Sequence, residues 1–411
     1  MQINAWFLFI TLALFLFWKL DLFSTLLNLK ALSPDIPDAF REFVDEEAYE
    51  QSQEYTKEKS ILGIVSGVVS LLVLFAFWWL GGFGWLDNVV RGWNQGPVVT
   101  GLLFVGILLI AQQILSVPFD LYGTFVLEEK FGFNRMTFGT WMLDRVKGGI
   151  LGILIGAPLL AALLWLFQAV PMAWLWGWLL VTGFSLALTY VAPTWIMPLF
   201  NKFEPLKDGE LKTEIHAMAE KCEFPLKEVT VMDGSKRSAK SNAFFTGLGD
   251  NKRIALFDTL IENHTVPELV GVLAHEIGHF KKRHIIKSLV IGILTTGAMF
   301  FLLGLMMENR ALFDAFGVEK TSIYVSLVLF GLVISPVNEI LSVAGNWMSR
   351  KHEFEADAYA AEVTGDPEAM ANALRKLSKD NLSNLTPHPF YVFLNYTHPP
   401  VVERVRALGV D

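Results

Sequence analysis

Charge and cysteine are scarce in this 411-residue chain. Charged residues make up only 18%, and the 33 Lys+Arg fall short of the 41 Asp+Glu, for a net charge of −8. A protein that grips nucleic acid through its phosphates carries a basic excess, so no nucleic-acid partner is expected. The single cysteine, Cys222, has no partner in the chain, which excludes a disulfide-stapled secreted fold. Internal repeats and low-complexity tracts are lacking too. What is abundant is apolar: 53% of residues are hydrophobic and 13% aromatic, with a mean hydropathy of +0.43. Disordered chains show the opposite balance, few aromatics and much charge. The composition is that of a polytopic membrane protein carrying some water-soluble mass.

A membrane-spanning helix needs about 20 mostly apolar residues to cross about 30 Å of hydrocarbon. Seven runs qualify, at 4–27, 61–82, 99–119, 148–170, 173–193, 285–307 and 322–344. The first is interrupted by Lys19 and Asp21 but lacks the basic start and small-residue cleavage site of a signal peptide, so it reads as a retained helix. If the seven alternate, one side receives loops whose only basic residues are Arg91, Arg310 and Lys320. Nearly all other Lys and Arg fall on the opposite side, and the positive-inside bias makes that side cytoplasmic. The chain then divides into 1–193 with five spans, 194–284 as a first soluble piece, 285–344 with two spans, and 345–411 as a second soluble piece. In the first soluble piece, "EVTVMDGS" and "NAFFTGLGDNKRIALFDTLI" read as strands, the latter a hairpin turning around Gly249–Asn251. A helix should start at Thr265, where Thr265 and Glu268 form a capping-box pattern with Pro267 in the first turn.

That helix carries "LAHEIGHFKKRH". His275 and His279 are four apart, so their imidazoles share one helical face and suit one metal ion. Glu276 stands beside the first, where a carboxylate can take a proton from an attacking water. A tetrahedral site still lacks one protein ligand. His284 fails the spacing of the metzincins, whose third histidine stands ten residues after the first, and reads as a membrane-interface residue. In "SRKHEFEADAYAAE", Glu353 and Asp357 are four apart on one face; Glu353 would complete a His₂Glu set and Asp357 would orient a ligand imidazole. Glu276 precedes Ile285, and Glu353 follows Ala344, by nine residues each. At 1.5 Å per residue the metal would lie about 14 Å along a helix from each span, at the membrane surface.

With these motifs assembled, the chain resembles the CAAX prenyl protease 1 family, the Ste24-like integral-membrane zinc metalloproteases of peptidase family M48. The resemblance rests on "FVLEEKFGFNRMTF", "DGSKRSAKSNAFFTG", "HEIGHFKKRH", "SRKHEFEADAYA" and "THPPVVERV", in the family's order from about residue 40 to the C-terminus. It implies a predominantly α, polytopic membrane protein: seven transmembrane helices around a water-filled chamber, capped by a gluzincin-type zinc protease domain with a small β-hairpin. It implies one Zn²⁺ per chain held by His275, His279 and Glu353, with Glu276 as base and Asp357 as supporting acid. It also implies cleavage after a prenylated Cys of a C-terminal CAAX sequence, with Asn242 and His398 as substrate contacts. The partners are then a peptide or protein substrate, lipidated in the family, and the surrounding membrane lipids. The loop between the last two spans is about 14 residues, shorter than in eukaryotic members, which points to a bacterial relative in an inner membrane with its active site facing the cytoplasm.

Three residues have readings of their own. Asn242 opens a strand whose edge can pair with an extended peptide. His398 in "THPP" can donate to a tetrahedral oxyanion. Arg350, one turn before Glu353, can neutralise the site or a substrate carboxylate. His216, His264, His352 and His388 lack partner spacing and read as surface. Polar Gln112, Gln113, Gln168, Asn338 and Glu339 within apolar runs should face an interior space. One rival reading is a quality-control protease for misfolded or stalled membrane proteins. Another is a transporter with a structural zinc, but such a site is closed by four protein ligands, and here three are identifiable and Glu276 is intact.

Overall fold

The structure is a computed structural model and describes residues 1–246 and 252–410. Among the described residues seven helices are long and apolar enough to cross a membrane: Ala5–Lys30, Glu46–Trp79, Pro97–Lys130, Phe138–Ala169, Ala173–Leu199, His284–Met306 and Ile323–Thr364. Each overlaps a run marked out by hydropathy, because a stretch of about 20 apolar residues has few other ways to satisfy its backbone. Large apolar side chains stand open along them, among them Leu12, Ile114, Ile153 and Leu305; in lipid these are covered. No more than 28% of any span's apolar window is buried against protein. Gln112, Gln113, Gln168, Asn338 and Glu339 are exposed within the spans. In a bilayer such groups face a bundle interior or a water-filled cavity.

At one end of the bundle two short helices, Gly82–Gly92 and Arg310–Ala315, close over an aromatic cluster. Trp78 stacks on Phe316 with ring centroids 4.3 Å apart, and its indole N–H donates to the Ala315 carbonyl at 2.9 Å. Tyr324, at the start of the seventh span, donates to buried Asp87 at 2.5 Å, and Arg91 pairs with the same carboxylate at 2.8 Å. These bonds fix the far end of the seventh span.

The soluble domain lies at the other end. Its sheet has four strands, β1 (Phe203–Pro205), β2 (Leu226–Met232), β3 (Ala243–Thr246) and β4 (Lys252–Phe257), in the order β1-β2-β4-β3. β3 and β4 are antiparallel, as the hairpin reading expected; the turn placed at Gly249–Asn251 lies outside the described residues. β4 also pairs in parallel with β2, and three-residue β1, unforeseen, adds to the other side of β2. β3 is therefore an edge strand. Helix Val266–Lys281 packs on this sheet through Leu269, Leu273, Ala274 and Ile277, within a core that also holds Ile254, Leu256 and Met370. The capping box at Thr265 and Glu268 is formed, with Glu268 Oε2 2.8 Å from the Thr265 N–H and from Lys376 Nζ.

Two staples hold the segment before β3 against the membrane domain. Arg237 makes two bonds to Asp144, at 2.8 and 3.0 Å. Lys240 reaches Glu128 at 2.8 Å and the Tyr55 hydroxyl at 2.7 Å. The seventh span continues without a break into the helix that carries Glu353 and Asp357, as one 42-residue element. The boundary drawn at 344/345 thus falls inside a helix, and a membrane span and a piece of the soluble domain are one rod.

Candidate active site

Two helices build the site. Val266–Lys281 presents His275 and His279, and the end of Ile323–Thr364 presents Glu353 and Asp357. The helices cross closely because residue 278 is glycine: a Cβ there would meet Ala356 Cα at 3.1 Å and its carbonyl oxygen at 3.2 Å. His275, His279 and Glu353 each offer one ligand atom within 4.8 Å of the others. The two imidazole Nε2 atoms stand 3.2 Å apart. Glu353 Oε2 lies 3.5 Å from His275 Nε2, and Oε1 lies 3.3 Å from His279 Nε2. Two imidazoles and a carboxylate, converging on one point, are the donor set of an open metal site. The residues fit a divalent cation.

Asp357, 1% exposed, has Oδ1 2.8 Å from His275 Nδ1. This is close enough for an ion pair, and no hydrogen bond to Nδ1 is completed. Sequence reasoning had not singled out Arg404, although it lies within the "THPPVVERV" motif. Its guanidinium grips Asp357 with two bonds of 2.7 Å and lies 3.3 Å from Glu353 Oε2. Two buried acids on one helix face require a buried cation, and that requirement was the available signal.

Burial pushes the Glu276 carboxyl above the ordinary carboxylate range, which suits a group that must hold a proton part of the time. Burial alone would lower His275, but Asp357 and Glu353 outweigh it and raise the ring to about 9. In the metal-free protein a proton therefore occupies the site that a cation would take.

His398 Nε2 is 3.5 Å from Glu353 Oε1 and borders a cavity of about 810 Å³. Arg404 and Tyr396 share its wall with Asp21 and Lys59, which belong to the first two spans. Asn242 is exposed where β3 begins; its backbone carbonyl accepts from Phe257 N–H at 3.1 Å. Arg350 is not brought into the cluster. Its Nη1 donates to the carbonyls of Val392 and Tyr396 at 3.0 and 2.5 Å, tying down the chain that leads to His398.

Two histidines, His264 and His352, depart from their surface reading. His264 is buried, with Nδ1 3.1 Å from the Leu260 carbonyl. His284 and His352 are buried with rings stacked at 3.9 Å. His284, the first residue of the sixth span, has its Nδ1 3.0 Å from His279 Nδ1. The helix does not run on from the His pair into the sixth span: it breaks at Lys282, and Arg283 adopts a left-handed conformation, φ 58°. The 14 Å extrapolation therefore holds on the Glu353 side only.

Fold and site together define a multi-pass integral-membrane metallopeptidase. The comparisons carry this further. Residues 25–202 match the CAAX prenyl protease N-terminal family, five membrane helices, and residues 205–410 match peptidase family M48. The chain belongs to peptidase family M48. It is 37% identical to CAAX prenyl protease 1 of Saccharomyces cerevisiae, across 91% of this chain and 88% of the relative. The Homo sapiens CAAX prenyl protease 1 homolog is 33% identical, with the same coverage of each. The crystal structure of S. mikatae Ste24p superposes with a TM-score of 0.92 at 33% identity, covering 98% of this chain and 99% of that one. These relatives are eukaryotic and give no support to the bacterial source inferred from the short loop.

Proposed function

We propose that this chain is a zinc endopeptidase that cleaves membrane-tethered polypeptides, with prenylated C-terminal CAAX sequences, after which its relatives are named, as its substrate class. One observation carries the reading. The cavity beside the ligand cluster is walled by the first two membrane spans as well as by His398 and Arg404, which supports a substrate anchored in lipid. A soluble substrate needs no such placement.

His275, His279 and Glu353 would hold one Zn²⁺. Bound there, the ion supplies a Lewis acid that polarises the scissile carbonyl and makes water a better nucleophile at neutral pH. Glu276, not a ligand, takes the proton of the attacking water and returns it to the leaving amine. Asp357 holds His275 in the tautomer whose Nε2 is free, and Arg404 balances the charge of both acids. His398 is placed to donate to the oxyanion. The exposed edge of β3, opened by Asn242, offers backbone groups to an extended substrate. Loop charge supports an active site facing the cytoplasm. The relatives' names do not favour the quality-control alternative.

The test compares a farnesylated CAAX peptide with its unlipidated twin, using purified protein in detergent. Faster cleavage of the lipidated peptide is expected, and equal rates would refute the substrate class. Glu276→Gln should abolish cleavage while keeping about one zinc per chain by metal analysis; loss of the metal would refute its role as base.

A further inference from the structure

The two ligand imidazoles are supported differently. His275 meets a carboxylate directly, through Asp357. His279 meets another histidine: its Nδ1 lies 3.0 Å from His284 Nδ1, and His284 Nε2 lies 3.0 Å from Glu355 Oε2. His284 is 3% exposed, and its ring stacks on His352 at 3.9 Å with an 11° interplanar angle. We propose that His284 is the positioning residue for the metal ligand His279, passing the orienting effect of Glu355 through its imidazole to the ligand's Nδ1–H. The inference rests on the reading of His275, His279 and Glu353 as the metal site.

The proton positions follow from one end of the chain to the other. A carboxylate can only accept, so His284 carries its proton on Nε2 and donates it to Glu355. Its Nδ1 then presents a lone pair, and His279 must place its own proton on Nδ1 to donate there. That leaves His279 Nε2 unprotonated and turned toward His275 Nε2 and Glu353, which is the tautomer a metal requires. The opposite arrangement would aim two N–H groups at each other across 3.0 Å. The stack on His352 fixes the plane of the relaying ring, so its two nitrogens stay aligned with both partners.

The local fold explains the placement. On an unbroken helix a residue five beyond His279 would sit about 140° around the axis. The stop at Lys282 and the left-handed Arg283 reset the direction and return His284 beneath His279. Glu355 lies two residues from Glu353 on its helix and so faces away from Asp357. One helix thereby supports both ligand histidines, from two faces.

Zinc affinity of the full-length protein in detergent, measured by competition with a chromogenic chelator, tests the inference. His284→Phe keeps the ring volume and the stack on His352 but removes the acceptor; a 10–100-fold loss of affinity is expected, the usual effect of deleting a ligand's outer partner. His284→Asn restores an acceptor near the Nδ1 position and should recover most of that loss. Glu355→Gln keeps an acceptor without the charge and should lose affinity several-fold. Glu353→Ala, which removes a ligand, is the control. If Glu353→Ala loses zinc while His284→Phe and Glu355→Gln bind like the wild type, the positioning role is overturned. If Glu353→Ala also binds like the wild type, the metal-site reading itself falls. Should His284→Phe fail to fold, the Asn and Glu355→Gln variants decide: wild-type affinity in Glu355→Gln overturns the relay.

Discussion

Removing the positive charge at Arg404 should weaken the metal-free protein and deepen its dependence on zinc. Arg404 is the cation held to Asp357 by two bonds of 2.7 Å and set 3.3 Å from Glu353. Asp357 is 1% and Glu353 4% exposed, so Arg404→Met leaves two buried carboxylates with only the His275 imidazolium to balance them. Breaking a buried pair from one side costs about 3–5 kcal/mol. For a domain of 150–250 residues each kcal/mol moves the melting point by about 2–4 °C, so a fall of at least about 6 °C is expected without metal. Zinc binding changes in the opposite direction. With the guanidinium gone, the donor set is more negative, and the ion itself supplies the missing positive charge. The stabilisation given by saturating zinc should thus be larger in Arg404→Met than in the wild type. Arg404→Lys keeps the charge but loses the two-pronged grip and should fall between them. The assay is thermal unfolding in detergent at one scan rate, with chelator and with zinc. An unchanged metal-free melting point, or a smaller zinc-induced shift, would refute the assignment of Arg404 as counter-charge.

Three further outcomes follow from the site. Because the proton on His275 leaves only near pH 9, and a ligand must be deprotonated, apparent zinc affinity should fall about tenfold per unit below about pH 9, and a flat chelator-competition profile from pH 6 to 9 would contradict this. The raised value stabilises the metal-free fold fully below about pH 6.5, a contribution lost as pH rises through 9. Gly278→Ala should cost about 1–3 kcal/mol by overpacking, since the new Cβ meets Ala356 at 3.1 Å, and should weaken zinc binding because Ala356 adjoins Asp357; a wild-type melting point would show the crossing is looser than described. Asp357→Asn, which retains an acceptor for His275, should lose less peptidase activity than Asp357→Ala, whose loss should be about 10–100-fold; full activity in Asp357→Ala would remove Asp357 from the site.

Legibility in the sequence followed the range of the interactions. Spans, the capping box at Thr265 and the His275/His279/Glu276 pattern are written within a few turns of helix, where hydropathy and period speak directly. The β3–β4 hairpin was readable for the same reason. β1 was not, because three residues carry no periodicity and gain their place only by pairing with β2 across the sheet. Arg404 was missed because its partner is 47 residues away and nothing in the spacing joins them. The contact of His284 with His279 was not legible because a single left-handed residue at Arg283 sets which face it joins. Arg350 was singled out for its proximity in sequence to Glu353, while its hydrogen bonds run to backbone carbonyls of Val392 and Tyr396.

The helix Ile323–Thr364 sets a rule for which insertions this chain can tolerate. One residue added between Ala344 and Glu353 would rotate Glu353 by about 100° and advance it by about 1.5 Å, out of reach of His275 and His279. With Tyr324 bonded to Asp87 at the far end of the same helix, the rod has little room to slide and absorb the change. The same residue added between Met307 and Ser322, where the chain turns between spans, would disturb neither ligand. Length variation among functional members should therefore gather in the connections and be absent from the nine-residue interval between the membrane and the metal.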